Sequence, residues 1–236
     1  MEKPVIGITL DHEDDQKYSL MPYYALRDNY ITATEKYGGI PILLPYVNSE
    51  IDNYLQFIDG LIITGGNFDI APNLYGDDKI HSKTSLKENR TSFEWNITKA
   101  AMRLNKPILG ICGGMQLLNV IMGGDLIQHI ADEIDDALEH EVKPHDQAAH
   151  NINIKENSLL FKLAEEKKIY GVNSSHHQAV KNIPDNMIAS AISSDSVIEA
   201  IEHLNYKFML GVQWHPEYLL TALDKNIFKE FIHAAK

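Results

Sequence analysis

Short apolar runs alternate with longer segments of helical periodicity along the first half of the chain. The runs are almost continuously apolar, which is typical of parallel strands that are buried on both faces of a sheet. A helix between successive strands predicts right-handed βαβ units. The predicted strands are Val5–Leu10, Ile40–Leu44, Leu61–Thr64 and Pro107–Ile111, and the predicted helices are Pro22–Tyr37, Ile51–Ile58, Ser92–Leu104 and Met115–Met122.

The second half of the chain has a different pattern. Residues 131–150 are rich in Asp, Glu and His, which predicts an exposed excursion. The shorter apolar runs after it predict antiparallel additions to the sheet, and the last segment predicts an amphipathic helix. These strands are His150–Ile154, Ile188–Ala191, Val197–His203 and Phe208–Val212, and the helix is Leu219–Ala235. No repeat or linker interrupts the pattern, so we expect one α/β domain over residues 1–236.

The composition of the chain excludes several classes of function. The 236 residues carry a formal net charge of −12, which disfavours binding to nucleic acid or to an anionic membrane. No apolar run approaches the roughly 18 residues of a membrane-spanning helix, and the N-terminus lacks the pattern of a secretory signal. We therefore expect a cytoplasmic protein. Cys112 is the single cysteine, which excludes an intrachain disulfide and a multi-cysteine zinc site.

Cys112 follows a predicted strand and precedes a predicted helix, within the sequence Gly110-Ile111-Cys112-Gly113-Gly114. This G-x-C-x-G pattern has the context of a nucleophile elbow, in which glycines flank a side chain on a sharp strand-to-helix turn. The helix N-terminus favours a thiolate and offers N–H groups to an oxyanion. The alternative is a small buried cysteine in an ordinary βα loop.

His215 and Glu217 follow the last predicted strand and are two positions apart. On extended backbone they point the same way, so the carboxylate would orient the imidazole as a general base. The alternative is a surface loop in which Pro216 and Glu217 begin a helix. Because ligands bind at the carboxyl ends of strands in such sheets, both segments are expected at one site.

These segments resemble the motifs of class I (triad) glutamine amidotransferases. The resemblance lies in Gly110–Gln116, Gln213–Glu217 and the predicted oxyanion-loop strand Ile63–Gly66. Within that superfamily the sequence is most similar to the peptidase C26 group, especially the γ-glutamyl-γ-aminobutyrate hydrolases. The segments similar to that group are Asp69–Gly76, Arg90–Glu94 and Val172–Ala179.

The resemblance implies a single-domain, three-layer flavodoxin-like sandwich with a mostly parallel central sheet and antiparallel additions in the C-terminal half. It implies that Cys112 is the nucleophile, His215 the general base and acid, and Glu217 the orienting carboxylate. The N–H groups of Gly66 and Gly113 would form the oxyanion hole. The residues implied in binding a small γ-glutamyl substrate are Gln116, Asn173, Ser174, Ser175 and His176. It further implies a homodimer.

Two departures from the family pattern bear on function. Position 113 is Gly where the family usually has a larger residue, so the oxyanion hole is expected to be less rigid. Asn67-Phe68 stands where many amidotransferases have Pro, which favours a γ-glutamyl hydrolase over a strict glutaminase. A glutaminase subunit that delivers ammonia to a separate synthase, and a catalytically silent binding protein, remain the alternatives.

Other polar residues have less specific patterns. His140, His145 and His150 match none of the usual short ligand spacings, so we expect neither a metal ion nor another cofactor. Arg90 and Glu94 stand four positions apart, which fits either helix support or a place at the rim of the active site.

Overall fold

The computed structural model describes residues 3–14 and 18–236, and most of its strands join one mixed sheet. The strands of the described residues are β1 Val5–Thr9, β2 Asp11–Glu13, β3 Tyr23–Ala25, β4 Ile40–Leu44, β5 Gly60–Ile63, β6 Ile108–Ile111, β7 Asp125–Ile127, β8 His150–Ile154, β9 Ile169–Val172, β10 Ala179–Asn182, β11 Met187–Ser193, β12 Ile198–His203 and β13 Met209–Val212.

The helices alternate with the parallel strands, as the apolar pattern predicts. They are α1 Asp28–Lys36, α2 Ile51–Phe57, α3 Glu88–Arg103, α4 Gly113–Met122, α5 Ile130–Glu133, α6 Leu159–Leu163 and α7 Ala222–Ala234, with 3₁₀ turns at Asn48–Glu50, Pro72–Tyr75 and Pro216–Tyr218. No helix among these described segments is long and apolar enough to cross a membrane.

The sheet has a parallel half and an antiparallel half. Its main order is β4-β1-β5-β6-β13-β12-β11-β8-β9, and β10 joins β12 to β7. Every pairing from β4 to β13 is parallel, and the pairings beyond β13 are antiparallel. The predicted α/β class with a mostly parallel central sheet and antiparallel C-terminal additions is confirmed.

Helices cover both faces of the sheet and give three layers. Buried side chains of α1, α6 and α7 pack with Ile6, Ile8 and Ile62 on one face. Buried side chains of α2, α3 and α4 pack with Leu61 and Ile63 on the other. Neighbouring residues of β5 thus enter opposite cores, which explains why its sequence is continuously apolar.

Two predictions about elements are wrong, and a third holds only in part. Met209–Val212 is parallel to β6 and belongs to the parallel half, because its apolar run is central in the sheet and pairs on both edges. The helix predicted from Pro22 begins only at Asp28, because Tyr23–Ala25 pairs with Asp11–Glu13 as a hairpin. The excursion after residue 131 is not wholly exposed, because the side chain of His140 is buried against charged partners.

Candidate active site

Cys112 occupies a strained turn between β6 and α4. Its backbone has φ 52° and ψ −110°, a conformation that L-residues rarely adopt. A Cβ atom at Gly114 would lie 2.2 Å from the carbonyl oxygen of Ile63, and one at Gly110 would lie 2.7 Å from that of Gly114. Both glycines are therefore needed for the turn. The geometry is that of a nucleophile elbow, in which a residue with a strained backbone carries its thiol at the start of a helix.

His215 and Glu217 lie just beyond the carboxyl end of β13, the strand that pairs with β6. Nδ1 of His215 is 2.8 Å from Oε1 of Glu217, and both residues are buried. A Cβ atom built on Gly65 would lie 3.0 Å from Cβ of Cys112 and 3.1 Å from Cε1 of His215. The thiol and the imidazole therefore converge beside Gly65, with the carboxylate on the far side of the ring.

The electrostatics of this group favour an ion pair. Burial alone lowers the pKa of His215, but the Glu217 carboxylate and the hydrogen bond with Cys112 outweigh burial and raise that pKa to about 10. Burial raises the pKa of the Cys112 thiol, but the hydrogen bond and the charge of His215 outweigh it and lower that pKa. The two shifts together favour a thiolate beside an imidazolium, the reactive form of a cysteine nucleophile.

The loop after β5 is held in place from two directions. The hydroxyl of Tyr30 accepts the N–H of Gly65 at 3.1 Å. Nη2 of Arg90 donates to the carbonyl oxygens of Thr64 and Gly65 at 2.8 and 3.1 Å. These bonds fix the backbone that leads into Gly66.

Arg90 itself is fully buried. Its Nε donates to Oε1 of Glu94 at 3.0 Å, and its guanidinium lies 4.0 Å from the centre of the Phe68 ring. The pair therefore supports the backbone of the loop after β5 as well as helix α3. Tyr30 and the loop contacts of Arg90 carried no recognisable signal in the sequence, because they depend on how α1 and α3 pack against β5.

Two cavities meet at Cys112. One has a volume of about 280 Å³, and its lining includes Arg27, Tyr30 and His215. The other has a volume of about 260 Å³, and its lining includes Gly113 and His177. The residues common to both linings are Gly66, Asn67, Cys112 and Ser175. A substrate that spans both cavities would have its central bond at the thiol.

Several of the residues expected to bind substrate line the second cavity. They are Gln116, Ser175 and His176. Nε2 of Gln116 donates to the carbonyl oxygen of Gln178 at 3.1 Å and to Oε1 of Gln213 at 3.2 Å. Nε2 of Gln213 in turn donates to Sγ of Cys112 at 3.6 Å, a contact that favours the thiolate. Gln213 lies within a segment that the sequence singled out, but its role was not recognised.

Asn173 and Ser174 are outside the linings of both cavities. Oδ1 of Asn173 accepts the N–H of His215, and its Nδ2 donates to the carbonyl oxygen of the same residue. The hydroxyl of Ser174 donates to the carbonyl oxygen of His140 at 2.8 Å. The side chains of Asn173 and Ser174 therefore make hydrogen bonds within the protein and do not line either cavity. Asn173 fixes the backbone of His215.

Comparisons with known proteins show to which family the chain is similar. The model of the family Peptidase C26 matches residues 4–217. A glutamine amidotransferase-like protein of Rickettsia prowazekii, RP404, is 39% identical over all of this chain and 99% of its own. Gamma-glutamyl-gamma-aminobutyrate hydrolase PuuD of Escherichia coli is 31% identical over all of this chain and 95% of its own.

Among solved structures, the glutaminase domain of Trypanosoma brucei CTPS with bound acivicin has the same fold. It superposes with a TM-score of 0.68 at 15% identity, covering 98% of this chain and 93% of that domain. At that identity the likeness supports the class I glutamine amidotransferase fold alone.

Proposed function

Because the chain belongs to the peptidase C26 family and is a hydrolase that acts on amides, we propose that it cleaves γ-glutamyl amides through a glutamyl-thioester on Cys112. The observation that carries this proposal is the position of the Cys112–His215–Glu217 group where two cavities meet. The acyl part of an amide would occupy one cavity and the leaving amine the other.

The first half of the proposed reaction forms the thioester. The Cys112 thiolate attacks the γ-carbonyl carbon, and the N–H groups of Gly66 and Gly113 donate to the oxyanion that forms. The imidazolium of His215 gives its proton to the leaving nitrogen, the C–N bond breaks, and the free amine departs. Glu217 stabilises the imidazolium before that transfer.

The second half consumes water. Neutral His215 takes a proton from a water molecule, whose oxygen attacks the thioester carbonyl. The C–S bond then breaks, the Cys112 thiolate is restored, and glutamate leaves. No other co-reactant is needed, and the imidazolium–thiolate pair is ready for another cycle.

The second cavity supports a γ-glutamyl acyl group. Glu141 offers a carboxylate to an α-ammonium group. His177, held by Asp69 at 3.1 Å, adds a polar ring to the same lining. The lining thus has groups for both ends of a zwitterionic amino acid.

The charges around the first cavity favour an amine that carries a carboxylate. Nζ of Lys87 lies 2.7 Å from Asp11 and 2.9 Å from Glu13, and Arg90 lies 3.4 Å from Asp11. Lys87 therefore offsets part of the charge of these two carboxylates, and Arg90 is shared with the buried Glu94. The exposed Arg27 adds a positive charge to the lining. We propose that γ-glutamyl-γ-aminobutyrate, whose leaving amine ends in a carboxylate, is a substrate.

Glutamate release from a panel of amides tests both parts of this proposal. The panel holds γ-glutamyl-γ-aminobutyrate, the γ-glutamyl amide of an uncharged amine of similar length, and glutamine. We expect release from the first to be fastest and to vanish in Cys112→Ala. Arg27→Gln is expected to raise KM about tenfold for the anionic substrate alone, since a lost charge contact of about 1.4 kcal/mol is a factor of ten.

Glutamine alone as a substrate would contradict the proposal and favour a glutaminase subunit. Equal KM effects of Arg27→Gln on the charged and uncharged amides would overturn the proposed leaving-group contact and leave the thioester mechanism intact. A cytoplasmic location, a homodimer and a single domain over the whole chain remain predictions from the sequence.

A further inference from the structure

Three imidazoles and one carboxylate meet in the antiparallel half of the protein, apart from the Cys112–His215–Glu217 group. They belong to His140, His150, His176 and Glu199, and one ligand atom from each lies within 4.8 Å of all the others. Four separate segments supply them: the loop before β8, β8 itself, the loop after β9, and β12. We call these residues the histidine cluster.

Hydrogen bonds on the outer side of each ring fix its tautomer. Nε2 of His140 lies 3.0 Å from Oδ2 of Asp195, and Nδ1 of His176 lies 2.9 Å from the carbonyl oxygen of Gln178. Nδ1 of His150 lies 3.4 Å from the carbonyl oxygen of the next residue. Because each of these acceptors takes an N–H, the other nitrogen of each neutral ring carries a lone pair.

Those lone pairs face one oxygen of Glu199. Its Oε1 lies 3.5 Å from Nδ1 of His140, 3.4 Å from Nε2 of His150 and 3.7 Å from Nε2 of His176. Among the described residues, neither oxygen of Glu199 has a hydrogen-bond partner, and neither has Nε2 of His150 or His176. Glu199 is fully buried and His176 is 5% exposed.

Such an arrangement is unfavourable while the three rings are neutral and no cation lies between them. A buried carboxylate without a partner is costly, and acceptor lone pairs that point at it add repulsion. The hydroxyl of Ser174 does not remove the repulsion, because its proton goes to the carbonyl oxygen of His140 at 2.8 Å. A divalent cation between the four groups would convert the repulsion into coordination.

We propose that the histidine cluster binds one Zn²⁺ ion through Nδ1 of His140, Nε2 of His150, Nε2 of His176 and a carboxylate oxygen of Glu199. Imidazole nitrogen and carboxylate oxygen are ordinary zinc ligands. Bonds of about 2.0–2.1 Å in a tetrahedron place neighbouring ligand atoms about 3.3–3.4 Å apart. The three distances from Glu199 are within a few tenths of an ångström of that spacing.

The site has the features of a structural zinc centre. Four protein ligands close the coordination of the ion, so it has no open position for a substrate. Asp195 supplies the outer carboxylate that commonly orients a zinc-bound histidine. The ion would tie β8 and β12 to the loop that carries Ser175 and His176, which form part of the cavity beside Cys112.

Zinc binding to the full chain tests this proposal independently of any activity. The purified protein is treated with a chelator, dialysed and titrated with Zn²⁺ alone, and Co²⁺ is added in parallel as a spectroscopic probe. We expect one zinc per chain, and the intense visible absorption of tetrahedral Co²⁺. Glu199→Gln and His150→Gln are expected to lose both signals, whereas His203→Gln, a buried control on β12, keeps them.

Asp195→Asn keeps the test valid if the variants of the ligand residues fail to fold. It leaves all four ligands in place and weakens the partner of His140, while the amide oxygen can still accept the N–H of Leu138. Zinc affinity is therefore expected to fall at least about tenfold while binding persists. Wild-type protein that stays folded after chelation and takes up no stoichiometric zinc would overturn the proposal. Zinc affinity that is unchanged in Glu199→Gln or in Asp195→Asn would do so as well.

Discussion

Asn173 holds the backbone of His215 through two hydrogen bonds: it accepts the N–H at 2.9 Å and donates to the carbonyl oxygen at 3.2 Å. Its side chain is buried. The loop after β9 thereby fixes the residue that the proposed reaction uses as base and acid. Asn173 is a positioning residue in this account, although the family resemblance implied a contact with substrate.

Replacement of Asn173 is therefore expected to affect kcat more than KM. Asn173→Ala removes both bonds and lets the imidazole move, which is expected to lower kcat about 10- to 100-fold with little change in KM. Steady-state kinetics on a γ-glutamyl amide measure this, with the exposed Asn153→Ala as the control. A large rise in KM at constant kcat would instead indicate a substrate contact.

The pH dependence of kcat/KM reports the proposed ion pair. The lowered pKa of Cys112 and the raised pKa of His215, about 10, keep the thiolate–imidazolium pair present between them. The rate is expected to fall as pH rises through about 10, because His215 then loses the proton that the leaving amine needs. A rate that rises from pH 7 to an optimum near the ordinary thiol pKa would contradict the pair.

Glu217→Gln is expected to move the alkaline limit of that profile. Loss of the carboxylate removes the main interaction that raises the pKa of His215, so that pKa falls. The rate of the variant at neutral pH is expected to fall. The decline of its rate at alkaline pH is expected to begin at a lower pH than in the wild type. The profile of the variant is compared with that of the wild type, and an unchanged alkaline limit would show that Glu217 does not act through the imidazole.

Gly113 and Gly114 are adjacent but differ in the space around them. A Cβ atom at Gly113 would meet only the Phe68 ring, at 3.4 Å, whereas one at Gly114 would lie 2.2 Å from the Ile63 carbonyl oxygen. Gly113→Ala is expected to raise the free energy of unfolding by about 0.5 kcal/mol, because alanine favours the first turn of α4. Gly114→Ala is expected to destabilise the protein by at least about 2 kcal/mol.

Urea unfolding of the two variants measures this difference, and glutamate release shows whether Gly113→Ala retains the wild-type rate. Destabilisation by Gly113→Ala would mean that the turn needs glycine there also. The departure from the family at this position would then be a structural requirement of this chain.

Variants of the buried pair Arg90 and Glu94 are expected to affect the free energy of unfolding and the rate of glutamate release differently. Arg90→Met leaves a buried carboxylate without its partner and is expected to cost about 3–5 kcal/mol of unfolding free energy. Arg90→Met with Glu94→Leu removes both charges and is expected to recover much of that loss. The double variant should nevertheless turn over slowly, because the carbonyl oxygens of Thr64 and Gly65 still lack their donor.

Full recovery of the rate in the double variant would show that Arg90 serves folding alone. Glutamate release and urea unfolding on the same preparations distinguish the two outcomes. The wild type and Glu94→Leu complete the comparison.

The sequence predicted four of the parallel strands and singled out Cys112, His215 and Glu217, because each of these signals is local. A continuous apolar run identifies a buried parallel strand, and Cys112 between glycines identifies the turn whether or not its neighbours are known. The hairpin of Asp11–Glu13 and Tyr23–Ala25 was missed because each strand has only three residues and neither is fully buried.

The contacts between distant segments could not be predicted from the sequence. Asn173 contacts His215 across 42 positions, and Arg90 contacts Thr64 across 26. The histidine cluster is the clearest case, because His140 and His150 have no standard ligand spacing. The pairing of β8, β11 and β12 brings His150 to Glu199. The hydrogen bond from the N–H of His176 to the carbonyl oxygen of His140 joins the two loops that carry those residues.

The central claim is that a glutamyl-thioester forms on Cys112. Mixing excess enzyme with γ-glutamyl-γ-aminobutyrate, quenching with acid at short times and mapping the peptides by mass spectrometry tests it most directly. The account predicts a glutamyl adduct on the peptide that contains Cys112, with the amine released before glutamate and no adduct or release in Cys112→Ala. Glutamate release at the wild-type rate by Cys112→Ala would contradict the claim.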